Sequence, residues 1–161
     1  MIVLINGPFG VGKTSVSRLL APRLGAGVFD PERIGWVLRR VVPTDDYQDL
    51  AAWRKLAVVG ARLVRLRHQT VLVPMTLWRH EYFDEIAQGL RTFDPDLRAF
   101  RLVADRRVLR TRILSSEEAR EWRLDHVESG LRAFSDPHFG QVISADGAVE
   151  EVVDELETRL R

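Results

Sequence analysis

A glycine-rich segment near the start of the chain has residue types suited to binding phosphate. Residues 7–14 read GPFGVGKT and match the pattern G-x-x-x-x-G-K-[ST], with a strand-like run before them and a helical pattern after them. Glycines let backbone N–H groups turn toward an anion, and the N-terminus of a following helix adds partial positive charge. In such a loop Lys13 reaches the β- and γ-phosphates and the Thr14 hydroxyl ligates Mg²⁺. We therefore expect a nucleoside triphosphate here; the alternative is a glycine turn without a ligand.

We also expect Lys13 to lie near solvent. On that expectation, Lys13→Ala would remove catalysis and leave the fold intact.

Two carboxylates follow the second strand-like run, in the segment FDPERIG. Asp30 and Glu32 would lie at the carboxyl edge of a parallel sheet, where ligands bind. Asp30 could accept the proton of an attacking hydroxyl or orient Mg²⁺, and it could also cap the helix that Pro31 opens. The two roles are compatible, so Asp30 is a candidate catalytic residue and Glu32 a second candidate beside the substrate.

An arginine-rich stretch, residues 105–123, could supply cations to a transferring phosphoryl group. Its sequence is DRRVLRTRILSSEEAREWR. Arginines on a mobile segment can stabilise negative charge on the phosphoryl group while the segment excludes water. We predict Arg112 and Arg120 as catalytic residues and Arg110 as a nucleotide contact, with Arg123 a further candidate. The alternative for each is a solvated helical face.

The elements that must position these residues alternate between strand and helix, which is typical of a parallel sheet. The predicted strands are 2–6, 27–30, 70–74, 98–104 and 141–144. The predicted helices are 12–24, 31–41, 49–68, 80–92, 105–114, 117–133 and 148–160. We predict an α/β chain with one domain over residues 1–161.

Composition excludes several classes of function. With no cysteine among 161 residues, disulfides, zinc–thiolate sites and cysteine nucleophiles are excluded. A net charge of +1 gives no global attraction to nucleic acid. The four histidines lack ligand spacing, so the expected metal is Mg²⁺ arriving with the nucleotide. The chain opens without a basic leader, and no apolar run approaches the roughly 18 residues of a membrane span, so we expect a cytoplasmic protein.

The end of the third predicted strand separates classes of nucleotide-binding protein. Hydrolytic ATPases usually carry an acid there, whereas this strand ends in VLVPMT, with Pro74, Met75 and Thr76. The N-K-x-D tetrapeptide by which GTPases recognise the base is also absent. These features favour a small-molecule kinase over an ATPase or a GTPase.

Several segments, in order along the chain, resemble the tunicamycin-resistance protein family of P-loop kinases. They are INGPFGVGKT (5–14), FDPERIGWVLRRVVP (29–43), DDYQDLAAWR (45–54), VPMT followed by EYFDEI (73–86), and SDPHFGQVISADG (135–147). The resemblance implies a three-layer P-loop kinase fold with a five-stranded parallel sheet and a short helical lid at about 112–125. It also implies ATP and Mg²⁺ as cofactors and tunicamycin, a uridine-containing antibiotic, as the target of resistance.

The resemblance further implies positions for the site residues. The expected nucleotide-binding residues are Gly7, Phe9, Gly10, Val11, Gly12, Lys13, Thr14 and Ser15. Asp30 would lie beside the acceptor hydroxyl. The expected acceptor pocket is lined by Arg39, Trp53, Arg54, Met75, Thr76 and Tyr82. Trp53 and Tyr82 have rings that can stack on a base, although aromatic residues at helical spacing more often belong to the core.

Three functional hypotheses remain open at this point. The first is an ATP-dependent kinase acting on a hydroxyl of a nucleoside-like small molecule such as tunicamycin. The second is a protein that sequesters the antibiotic and uses ATP only as a structural ligand. The third is a metabolic kinase that shares the scaffold but has another substrate.

Overall fold

Parallel strands form one sheet at the centre of the computed structural model, which describes residues 1–38 (for residue 36 the backbone only), 42, 46–116 and 120–161. The strands are β1 (Ile2–Asn6), β2 (Gly27–Val28), β3 (Val71–Met75), β4 (Leu97–Val103) and β5 (Gln141–Ser144). Their order across the sheet is β2-β3-β1-β4-β5, and every pairing is parallel. The predicted α/β fold with a five-stranded parallel sheet is confirmed.

Helices cover both faces of the sheet, which explains why the central strands are continuously apolar. The helices are α1 (Lys13–Leu24), α2 (Glu32–Leu38), α3 (Ala51–Arg65), α4 (His80–Arg91), α5 (Arg106–Leu114), α6 (Arg120–Asp125), α7 (Val127–Ala133) and α8 (Val149–Leu160). Along β1 the side chains alternate: Val3 and Ile5 pack with α1, α5 and α8, whereas Ile2 and Leu4 pack with α3 and α4. Among the described residues, no helix is both long and apolar enough to cross a membrane.

Within the described residues, three predicted elements differ from the structure by more than one residue. The predicted helix 117–133 is interrupted at His126, whose backbone leaves the helical region and separates α6 from α7; residues 117–119 lie outside the described part. The predicted helix 49–68 begins later, because Asp46 caps a 3₁₀ turn, Tyr47–Asp49, before α3 starts. Strand β2 pairs only over Gly27–Val28 because the chain turns at Asp30 to enter α2.

Pro74 occupies an internal strand without breaking the ladder. The carbonyl of Leu72 accepts a hydrogen bond from Phe29 N (3.0 Å). The backbone N and O atoms of alternate residues of β3, including Pro74, therefore point toward β2. Because β2 has already ended at Val28, the N–H that proline lacks has no strand partner to lose. The same early end of β2 leaves an opening above Pro74 at the carboxyl edge of the sheet.

Candidate active site

The glycine loop connects the end of β1 to the start of α1. Gly10 and Gly12 have φ values of 78° and 103°, a region that side chains with a Cβ rarely adopt. A Cβ at Gly10 would lie 2.7 Å from the side chain of Ile113, whereas the space beside Gly12 is open to 4 Å. The loop is therefore packed against α5 on one side and open where α1 begins.

Asn6 fixes the loop to the neighbouring strand. Its Nδ2 donates to Leu77 O (3.0 Å), and its Oδ1 accepts from Leu77 N (2.8 Å) and from Gly7 N (3.0 Å). The side chain is fully buried. The sequence analysis missed this residue, although an amide at the end of a buried apolar strand is a signal for such a role.

Lys13 is folded over its own loop. Its Nζ donates to Gly7 O (2.9 Å) and Pro8 O (3.0 Å), and the residue is only 7% exposed. The expectation that this lysine lies near solvent is wrong, because α1 begins at this residue and directs the side chain back across the loop. Burial lowers the pKa of Lys13 against the opposing influence of Glu32 and Asp30.

A first cavity of about 530 Å³ lies along the loop and the start of α1. One wall consists of residues 9–16, and the opposite wall comes from Arg112 on α5 and from the segment after β5, residues 145–149. Arg112 holds these parts together: its guanidinium donates to Ala145 O (2.7 Å) and Gly147 O (3.0 Å). The cavity thus lies between the glycine loop on one side and α5 with the β5–α8 connection on the other.

A second cavity of about 680 Å³ opens at the carboxyl edge of β2 and β3. Its lining includes Asp30, Arg33 and Pro74. Thr14, Glu32 and Arg123 border both cavities and lie where the two meet.

The two acids differ in their environment. Asp30 Oδ1 accepts a hydrogen bond from Glu32 N (3.1 Å), as expected for a residue that also caps a helix. Burial, followed by the charge of Glu32, raises the pKa of Asp30. Glu32 has a buried Oε1 without a hydrogen-bond partner among the described residues. A buried carboxylate oxygen in this position fits a ligand that brings a cation or a donor.

The candidate arginines are divided by the structure. Arg112 and Arg123 line the cavities, whereas Arg110 is exposed on α5 and lines neither. Arg120 is also exposed, and its Nε donates to Ser116 O (3.0 Å) at the start of α6. The helical arrangement therefore brings only two of the four candidates to the site.

Three predicted acceptor residues are buried in the core instead of lining a cavity. Trp53 is 1% exposed; its Nε1 donates to Pro31 O (3.0 Å) and its ring packs 5.0 Å from that of Tyr47. Met75 and Thr76 are equally buried, and Thr76 O accepts from the side chain of Gln48. These three residues support the turn into α2 and the edge of β3, and Pro74 is the part of β3 that reaches the second cavity. Their place in the acceptor pocket stays a prediction.

Arg54 and Tyr82 belong to a polar cluster between α3 and α4. The Arg54 guanidinium lies 4.4 Å from the centre of the Tyr82 ring and pairs with Glu85, while the Tyr82 hydroxyl donates to Asp49 (2.6 Å). Neither residue lines the two cavities, and their place in the acceptor pocket stays a prediction. The remaining predicted acceptor residue, Arg39, lies outside the described residues.

Aromatic contacts hold α6 against the glycine loop. The Phe9 ring packs edge-on against Trp122 (5.0 Å between centroids) and Trp78 (5.7 Å), and His126 lies 4.1 Å from Trp122. Trp122 immediately precedes Arg123, so these contacts position the arginine that borders both cavities. The sequence analysis named Phe9 for its loop position but did not identify its partners.

The residues of the first cavity fit a nucleoside triphosphate with Mg²⁺. The open space beside Gly12 leaves room for a phosphate against the backbone, and Lys13 is a buried cation without an ion pair among the described residues. Thr14 and the unpartnered Oε1 of Glu32 are oxygen donors of the kind that Mg²⁺ prefers, directly or through water.

Comparisons with solved structures agree with this geometry. A tunicamycin resistance protein from Deinococcus radiodurans is similar, with a TM-score of 0.80 at 24% identity over 99% of this chain and 94% of that one. The chain has a P-loop kinase fold. A gluconokinase from Sinorhizobium meliloti gives a TM-score of 0.68 at 18% identity, covering 98% and 91% of the two chains.

A third similar structure, shikimate kinase from Bacteroides thetaiotaomicron, gives a TM-score of 0.67 at 17% identity, covering 99% of this chain and 98% of that one. No protein-family model and no curated protein sequence matches the chain. At these identities the similarity shows the fold alone, and both the activity and the substrate have to be argued from the site.

Proposed function

We propose that the protein is an ATP-dependent phosphotransferase that acts on a hydroxyl group of a small molecule. The observation that carries this proposal is the meeting of two cavities at Thr14, Glu32 and Arg123. One cavity has phosphate-binding features and the other has a carboxylate, Asp30, at the edge of the sheet. A transferase needs its two sites to share a border, whereas a protein that sequesters the antibiotic and holds ATP only as a structural ligand does not need them to meet.

Each residue at the border has a role that follows from its chemistry. Lys13 and the loop N–H groups would bind the phosphates, and Thr14 with Glu32 would hold Mg²⁺. When bound, Mg·ATP supplies the phosphoryl group and part of the charge that offsets it. Arg123 would face the transferring group from the lid, while Arg112 keeps the first cavity in shape through its backbone contacts.

Asp30 is the proposed acceptor of the hydroxyl proton. As the hydroxyl takes up the phosphoryl group that bound Mg·ATP supplies and ADP is released, Asp30 would accept the hydroxyl proton. The raised pKa of Asp30 makes its carboxylate a better proton acceptor than an exposed aspartate. Thus Asp30→Asn should abolish turnover while both ligands still bind.

Tunicamycin is the first acceptor to test. The sequence resemblance to the tunicamycin-resistance family and the similar solved structure support it. Incubation with Mg·ATP should then yield a product about 80 mass units heavier, the mass of one phosphoryl group. If an ATP-binding preparation gives no such product, tunicamycin is not the acceptor.

A second acceptor class, an anionic polyol, is favoured by one observation. Arg18 and Arg33 line the second cavity, and neither forms an ion pair among the described residues. Free guanidinium groups suit a carboxylate or phosphate on the acceptor. A panel of neutral nucleosides, sugars and sugar acids, assayed with the same protein, separates the two classes by kcat/KM.

Calorimetry tests the shared site before any substrate is identified by turnover. Titration with Mg·ATP, followed by titration with each acceptor in the presence of a non-hydrolysable ATP analogue, should show tighter acceptor binding when the nucleotide site is filled. Sequestration instead predicts that Asp30→Asn leaves both binding and resistance in cells unchanged.

A further inference from the structure

Helix α3 carries an exposed row of aliphatic side chains that the proposed kinase site does not use. Leu56, Val59, Leu63 and Leu66 are 43%, 51%, 59% and 76% exposed. Ala52, also exposed, extends the row by one turn toward the start of the helix. Their spacing of four, three, four and three residues is the heptad spacing of a helix–helix seam. We call these five residues the α3 seam.

The α3 seam is separate from the contacts that hold α3 in the protein. Trp53, Ala57 and Ala61 face the sheet, and the side chain of Val58 packs beside Gly89 of α4. The seam lies on the remaining side of the helix and extends over about 21 Å, from residue 52 to residue 66 at 1.5 Å rise per residue. A seam of this length can accommodate about four turns of a second helix.

The charges around the seam have one sign. Residues 51–68 contain no acid. Arg54 and Arg65 pair with Glu85 and Asp94 on the α4 side. The other cations, Lys55, Arg62 and Arg67, are exposed and form no ion pair among the described residues. In a chain with a net charge of only +1, this is a concentrated positive surface.

These charges disfavour a second copy of the chain as the partner. Lys55 and Arg62 each precede a seam residue and therefore lie on the same flank of the seam. In an antiparallel pair of α3 helices these flanks face each other, so cation would oppose cation. The acidic helix α8 of a second copy cannot dock on the α3 seam either, because its apolar residues Val152, Val153 and Leu156 are buried against the sheet.

The shape of the seam disfavours a lipid bilayer. At about 100° per residue its members fall within an arc of about 80°, the narrow stripe of a coiled coil instead of the broader apolar face of an interfacial helix. The aromatic residue of this helix, Trp53, is turned into the core and unavailable as a membrane anchor. A narrow seam with a cationic flank is complementary to one helix with an apolar stripe and acidic flanks.

We propose that the α3 seam docks an acidic amphipathic helix of another protein. Leucine-like residues of the partner would fill the spaces between Leu56, Val59 and Leu63, while its carboxylates face Lys55 and Arg62. Because the contact is a single pair of helices, its area is at the low end of specific interfaces and we expect micromolar affinity. Such docking would tether the kinase without covering either cavity.

A designed peptide tests the proposal with the full-length protein. The probe is a fluorescent helical peptide of about 21 residues with Leu at positions a and d and Glu at e and g; the matched peptide has Lys in place of Glu. Anisotropy should show saturable binding of the acidic peptide alone. Raising the NaCl concentration from about 50 mM to about 500 mM should weaken the binding of the acidic peptide about fivefold or more.

Variants locate the binding surface. Val59→Gln combined with Leu63→Gln should weaken the acidic peptide at least about tenfold, and Lys55→Gln combined with Arg62→Gln should remove most of the salt dependence. Leu19→Gln is the matched control, since Leu19 is 40% exposed on α1 at the other face of the sheet and should have no effect. Mg·ATP binding in each variant verifies that the protein is folded.

Four results would overturn the proposal. Two of them concern the peptides: no saturable binding of the acidic peptide, or equal binding of both peptides. The other two are associations that occur in place of peptide binding and that the Val59→Gln, Leu63→Gln variant abolishes. The first of these is recruitment to phosphatidylcholine vesicles containing about one quarter phosphatidylglycerol, which would assign the seam to a membrane. The second is a concentration-dependent dimer in light scattering, which would assign it to a second copy.

Discussion

Lys13 is buried over two carbonyl groups of its own loop, and this position determines what its removal should do. The Lys13→Ala variant loses a cation and leaves Gly7 O and Pro8 O without their donor. We expect turnover to fall by about 10²–10³ or more and the free energy of unfolding to fall by roughly 1–3 kcal/mol. Steady-state kinetics and thermal unfolding followed by circular dichroism measure the two effects. An unchanged turnover would contradict the role of this lysine.

Asp30 lies beside a second acid, Glu32, and the titration of Asp30 can be followed directly. Burial and the charge of Glu32 raise the pKa of Asp30, so Asp30 is protonated at a higher pH than an exposed aspartate. As the pH falls through this raised pKa, Asp30 becomes protonated and can no longer act as the proposed base. The pH profile of kcat/KM should therefore decline on its acid side at the pKa of Asp30.

The Glu32→Gln variant should lower the pKa of Asp30, because it removes the like charge. The pKa is measured by carboxyl NMR of the protein without nucleotide, and Glu32→Asp, which keeps the charge, is the control. If the pKa of Asp30 stays the same in Glu32→Gln, burial alone accounts for its shift.

Trp53 shows how residue-level prediction reached its limit. Its type and helical position were compatible with both a stacking ring and a core residue. Only the turn that brings Pro31 O within 3.0 Å of Nε1 places it in the core. Asp30 was easier to predict because a strand end followed by Asp-Pro constrains both the cap and the position at the sheet edge.

Helix α6, which lies in the segment predicted to form a lid, contacts the glycine loop. Trp122 packs on Phe9 and His126, and the next residue, Arg123, borders both cavities. Two aromatic contacts of this kind contribute about 1–3 kcal/mol. The position of the arginine therefore depends on the ring beside it.

We predict that Trp122→Ala reduces kcat/KM by about 5- to 100-fold, the effect of losing those contacts. Because Trp122 is one-third exposed, the stability lost should be at the low end of about 1–3 kcal/mol, and the melting temperature should fall by about 2–4 °C for each kcal/mol lost. Trp122→Phe keeps a ring against Phe9 and should retain most of the activity. Equal loss in both variants would mean that the indole itself, and not the packing, matters.

Asp94 stabilises the molecule at the amino edge of the sheet, opposite to the site. It accepts hydrogen bonds from Arg65 Nε (2.6 Å) and pairs with the amino group of Met1 (2.9 Å). Burial raises the pKa of Asp94, but the bonds from Arg65 and Met1 outweigh burial and hold the pKa below its usual value. The pairs connect the start of β1, the end of α3 and the turn before β4.

Asp94→Asn should lower the free energy of unfolding at pH 7 by roughly 1–3 kcal/mol. Since the folded pKa is depressed, the stabilisation is complete above the ordinary pKa of aspartate and disappears as pH falls through the lower folded value. Denaturant unfolding at several pH values should show the difference from wild type narrowing in acid. Asp96→Asn, which changes an exposed pair with Arg98, is the control and should have little effect.

Local sequence patterns were enough to predict the architecture and the position of the glycine loop. Apolar runs such as IVLIN and VLVPM are short, separated by helical patterns and bounded by turn residues, so local periodicity specifies a parallel α/β sheet. The loop motif is equally local, since its glycines, lysine and threonine function within eight consecutive residues.

Only the tertiary structure decided which distant residues share a cavity. Arg112 and Arg123 reach the loop because α5 and α6 pack across it, whereas Arg110 and Arg120 lie on other faces of the same helices. Likewise, β2 had to end early for Pro74 to border the second cavity. The physical reason is that helical phase and strand pairing depend on long-range packing, which no short segment of sequence contains.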